Sequence, residues 1–129
     1  CNYYLELEKH LKCENNGSDY LTKFAYPYCL KFQEKEKVWN PQLKSFVNNS
    51  GLCLMEALYF NQSKFTDCQT FEEFAFDSHS TCYIQHGYCE LSAVEQLQIA
   101  ATVEWLTIFT KFGQIKKQME TIYRSCPAP

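Results

Sequence analysis

The chain has 129 residues, 46% hydrophobic and 21% charged, a balance that folds as one domain and excludes a disordered tail. Twelve basic side chains against 15 acidic ones give a net charge of -3, with no long run of one sign. Nucleic acid needs a concentrated basic face and anionic membranes need basic clusters, so neither is a partner.

The apolar spacing predicts helices throughout. Tyr3, Leu7 and Leu11 share a face over residues 2–13, widened by Tyr4 and Leu5 and ended by Asn15-Asn16-Gly17. Ser18-Asp19 is a capping pair for a second helix. Its stripe is Leu21, Phe24, Ala25, Tyr28, Cys29 and Phe32, and Pro27 predicts a kink or break at Ala25–Tyr26. Asn40-Pro41 reads as a cap plus first helical position, starting a short helix to Val47. Leu54, Ala57, Leu58 and Asn61 suggest another. Thr70 and Glu73 form one capping-box pattern, Ser92 and Glu95 a second.

From Ser92 onward, Val94, Leu97, Ala101, Trp105, Ile108, Phe112, Ile115, Met119, Ile122 and Cys126 recur every three or four residues. Ile99, Val103, Leu106 and Phe109 make the other side apolar too. This predicts a central, buried helix over residues 92–124, bent at Gly113 and stopped by Pro127. The expected fold is all-α: five or six helices packed around that long C-terminal helix and stapled by disulfides, as a single domain over residues 1–129.

Eight cysteines are spread along the chain: Cys1, Cys13, Cys29, Cys53, Cys68, Cys82, Cys89 and Cys126. The number is even and no CxxC pair occurs, so a disulfide framework in an oxidising compartment is expected. The pairing stays open. Cys82 and Cys89 either close a short local loop or each tether the segment elsewhere, and Cys126 is expected to return to Cys1 or Cys13. Three N-x-S sequons, at Asn16, Asn48 and Asn61, lie in polar stretches that read as loops and are expected to carry glycans. Together these features place the chain outside the cell, secreted or on the outer face of the plasma membrane. It starts at Cys1 with no visible leader, which reads as a trimmed fragment. No run of 18 apolar residues occurs, so nothing within it spans a membrane, and an anchor beyond Pro129 is left open.

Catalytic patterns do not assemble. His79, Cys82, His86 and Cys89 offer zinc-type ligands. On one helix, though, His79 and Cys89 would stand about 15 Å apart, and oxidising conditions favour sulfur as the thiol's partner. The same HxxCY stretch resembles secreted phospholipases A2, but Ser80 replaces the aspartate that follows the histidine there, and no glycine-rich calcium loop is present. Asp77, Ser78 and His79 supply the letters of a triad without an elbow motif. No enzyme, metal or cofactor is expected. The size and composition are similar to insect odorant-binding carriers, without their C-x3-C pair. Tyr123-Arg124-Ser125-Cys126-Pro127 resembles the end of receptor activity-modifying protein ectodomains, over about a quarter of the chain.

The functional expectation is a non-enzymatic, extracellular protein-recognition module, either a secreted ligand or an ectodomain, whose partner is another extracellular protein. Nine tyrosines exceed what a core readily buries, since each buried hydroxyl needs a partner. The sequon-free, cysteine-anchored segment from Phe74 to Leu91 is the expected contact surface, with Tyr83, His86 and Tyr88 as binding residues. The alternative is a secreted carrier of a small hydrophobic molecule, for which the aromatic excess would line a pocket.

Overall fold

The computed structural model describes residues 1–102 and 112–126. Among them are six α-helices and no strand: α1 (Asn2–Leu11), α2 (Tyr26–Lys35), α3 (Pro41–Asn61), α4 (Cys68–Gln85), α5 (Ala93–Thr102) and α6 (Phe112–Ser125). The all-α, disulfide-stapled expectation holds.

The helix boundaries follow local chemistry. α1 stops where Lys12 turns left-handed and its N–H bonds Glu8 O. Pro27 lies in the first turn of α2, where its missing N–H costs little. The strain it would put on the preceding turn is taken up by a π-helical turn, Leu21–Ala25, which ends at the predicted junction. Asn40 caps α3 by accepting from the Leu43 N–H at 2.8 Å. That helix then runs through Gly51 and joins the two short helices expected there. The Ser92 box closes in both directions: Ser92 N–H donates to Glu95 Oε1 at 2.9 Å, and Glu95 N–H to Ser92 Oγ at 3.1 Å. The Thr70 box does not form. Asp67 takes the cap instead, accepting from the Thr70 N–H at 2.7 Å, so α4 begins earlier than its sequence pattern suggests.

Two apolar clusters share the α3–α4 framework. One joins Tyr4 and Leu7 of α1 to Tyr20, Leu21, Leu58, Phe71, Ala75 and Phe76. The other joins Trp39, Leu43 and Phe46 to Leu91 and Ile99. α6 packs along α4: Ile122 is 1% exposed, Ser80 Oγ donates to Gln118 O at 3.2 Å, and Gln114 Nε2 donates to Glu72 Oε2 at 2.9 Å. Glu72 also accepts from Ser18 Oγ at 3.0 Å, so this buried carboxylate ties the start of the second helical segment to α4 and α6.

All eight cysteines pair: Cys1–Cys29, Cys13–Cys68, Cys53–Cys82 and Cys89–Cys126. Cys82 and Cys89 therefore tether their segment to other elements and do not bond each other. The expected return of Cys126 to Cys1 or Cys13 is wrong. α6 lies along α4, and that brings its end to the turn that follows α4.

The C-terminal helix also needs correction. Its described parts are α5 and α6, while Val103, Trp105, Leu106, Ile108 and Phe109 lie outside the described residues. Gly113 is the second residue of α6, and the residues before it that a bend would involve lie outside the described ones. The apolar ladder does not set the buried face of α5. Val94 and Leu97 are 67% and 68% exposed, and Glu95, Ile99 and Thr102 turn inward. At the far end Met119 and Tyr123 are exposed, so α6 is an amphipathic outer helix and not a central one.

Candidate functional site

The predicted contact residues fall on the second half of α4 and the turn after it. Gly87, at φ 98, reverses the chain into a 3-10 turn, Tyr88–Glu90. Tyr83 and Tyr88 stack with centroids 6.2 Å apart, and Phe46 meets them at 5.6 and 5.9 Å. Both tyrosines are half-buried against the second cluster, and His86 is exposed. Gln96 Nε2 donates to Tyr88 O at 3.4 Å and Leu91 O at 3.3 Å, which fastens α5 to this turn.

The sequons occupy different settings. Asn16 is exposed in the turn after α1. Asn48 is exposed but lies within α3, so the loop expected there is replaced by helix. Asn61 ends α3, its side-chain Nδ2 donating to Ala57 O at 2.7 Å.

The zinc pattern cannot operate as such, because Cys82 is bonded to Cys53 and Cys89 to Cys126. Among the described residues, no group of three or more His, Cys, Asp and Glu is placed to hold a metal.

The structure adds a feature that periodicity did not reveal. A cavity of about 480 Å³ opens between the helices, walled by Phe24, Phe32, Phe46, Met55, Phe76, Tyr83, Ile99, Ile115 and Ile122 among others. His79 lies in this wall. Its ring stacks on Phe76 at 5.9 Å and meets Tyr20 and Tyr83 edge-on at 6.3 and 5.8 Å. Burial lowers its pKa below the ordinary histidine value, against the opposing pull of backbone carbonyls at Ala75 and Phe76. Burial also pushes the Tyr20 and Tyr83 hydroxyls well up. The sequence signal was present in part: Val47, Gly51, Leu54 and Met55 share one side of α3, and glycine leaves room where a larger residue would fill it.

A sequence profile described as the Stanniocalcin family matches residues 7–125. The chain belongs to the stanniocalcin family. No curated protein and no solved structure gives a significant match. Stanniocalcins are secreted, disulfide-bonded glycoprotein hormones, which places this chain outside the cell in a signalling class. No helix among the described residues is long and apolar enough to cross a membrane.

Proposed function

We propose that this stanniocalcin is a non-enzymatic recognition module that signals by binding another extracellular protein. The observation that carries the reading is membership of a family of secreted hormones by a chain whose zinc-type cysteines, Cys82 and Cys89, are consumed in disulfides. The contact face runs over the turn bearing His86 and Tyr88, with Tyr83 stacked beneath, and takes in the outward residues Val94 and Leu97 of α5. Support comes from three properties. The turn is fixed at Cys89 by the bond to Cys126, so little entropy is lost on binding. Val94 and Leu97 expose apolar surface next to it in sequence, on a helix fastened to it by Gln96. No sequon follows Asn61, so no N-linked glycan is expected on this stretch.

The test is binding of fluorescently labelled protein to cultured cells. His86→Ala, Val94→Asp and Leu97→Asp each leave stability within about 0.5 kcal/mol, as substitutions at exposed positions do. At least one of the two aspartate variants weakens cell binding tenfold or more, the scale of a hot-spot residue. Wild-type affinity in all three variants, with the fold intact, removes this face from the proposal.

A further inference from the structure

The cavity between the helices has a chemistry of its own, independent of any protein partner. Its volume of about 480 Å³ lies within the roughly 300–1,000 Å³ that small-molecule pockets span. The wall is largely aromatic and aliphatic. Among its described residues there is no lysine or arginine, and the one carboxylate is Glu36. An anionic ligand would find no counter-charge there, so a carboxylate or phosphate would pay its desolvation unaided.

Two polar atoms in the wall, the Ser50 hydroxyl and Glu36 Oε2, are buried without a hydrogen-bond partner among the described residues, and His79 adds a ring nitrogen that can accept. His79 Nδ1 lies 2.8 Å from Ala75 O. A carbonyl oxygen only accepts, so Nδ1 carries the proton and Nε2 of the neutral ring is an acceptor. Neutrality is favoured because burial opposes the charged form. Tyr83, packed by Phe46, His79 and Tyr88, lines the cavity beside it. Ser50 is 3% exposed and its hydroxyl has no partner. Unpaired buried polar groups are uncommon, and a hydrogen-bonding ligand is one reason for a fold to keep them. His79 and Tyr83 are half-buried and both line the cavity.

We propose that the cavity binds a neutral lipophile bearing one hydroxyl group, with His79 Nε2 accepting the hydroxyl proton and the aromatic wall holding the apolar body. Tyr83, whose ring meets that of His79 edge-on, stands beside it, and Ser50 lines the same cavity. This goes beyond protein recognition and stands or falls separately from it.

The experiment uses the secreted, purified chain and the neutral fluorescent probe N-phenyl-1-naphthylamine, competed by 1-dodecanol, by its methyl ether and by dodecanoate. The expected result is saturable probe uptake near one site per chain. Dodecanol displaces the probe at about a tenfold lower concentration than the ether, the value of one net hydrogen bond, with dodecanoate weaker still. His79→Phe keeps the ring packing and the probe but removes the alcohol's advantage over the ether. Gly51→Leu tests the location without touching the histidine. A Cβ at Gly51 has nothing within 4 Å, the position lines the cavity, and leucine is the better helix former. This variant therefore keeps or raises its unfolding temperature while probe affinity falls tenfold or more. No saturable uptake by the native chain overturns the proposal. So does an undiminished alcohol preference in His79→Phe, or native probe affinity in folded Gly51→Leu. Should His79→Phe not fold, the competitor ranking in the native chain and the Gly51→Leu result decide.

Discussion

Replacing Cys89 and Cys126 together by alanine tests how the last helix is held. The bond spans a sequence separation of 37 residues, closing its loop at an entropic cost to the unfolded chain. The relation -2.1 - 1.5R ln n gives about 13 cal/mol/K for that loop, or about 4 kcal/mol at 25 °C. The other anchors of α6 remain: Ile122 keeps its buried site, and the Ser80–Gln118 and Glu72–Gln114 bonds stay available. The double variant should therefore stay helical by circular dichroism yet unfold in urea with a free energy lower by about 4 kcal/mol, at nearly unchanged native secondary structure. A loss below about 1 kcal/mol would refute the entropic argument. Peptide mass mapping that joins Cys126 to any cysteine but Cys89 would refute the topology itself.

Phe71 is 1% exposed and touches both Tyr20 and Phe65, so Phe71→Ala should cost about 3–5 kcal/mol in the same urea assay. His79 is packed by Tyr20, Phe76 and Tyr83, and its folded pKa lies below the unfolded value of 6.5. Its contribution to stability is thus fully present above about pH 6.5 and is lost as the pH falls toward the folded pKa. Urea titrations between pH 7.5 and 5 should show that decline, and His79→Phe should flatten it. Asn16→Gln, Asn48→Gln and Asn61→Gln should each remove one glycan's mass from the secreted protein, read by mass spectrometry before and after enzymatic deglycosylation.

The parts of this fold that were legible in the sequence are those where one residue type satisfies a local need. Asn40-Pro41 and Ser92-Ala93-Val94-Glu95 start helices because their side chains answer backbone N–H groups within a few residues. Pro27 marks a junction for the same local reason. Where two local solutions compete, the pattern misleads: both Asp67 and Thr70 can cap α4, and Asp67, with its charged oxygen, takes the bond to the Thr70 N–H. The orientation of α5 was hidden because residues 92–109 are apolar on more than one side. Val94 and Leu97 lie outside, and Glu95 is drawn in by the Ser92 N–H that it caps. Disulfide partners are set by which helices lie side by side, a long-range property that no spacing along the chain encodes. The cavity is longer-range still, since it needs Gly51 on α3, His79 on α4 and Ile122 on α6 to face one space.

Engagement of a cell-surface or extracellular protein by this chain is tested most directly by equilibrium binding of the labelled chain to cells, before and after the cells are treated with protease. A saturable component is expected, displaced by excess unlabelled chain and abolished by protease treatment of the cells. Binding that rises linearly with concentration, or that survives protease treatment undiminished, would contradict it.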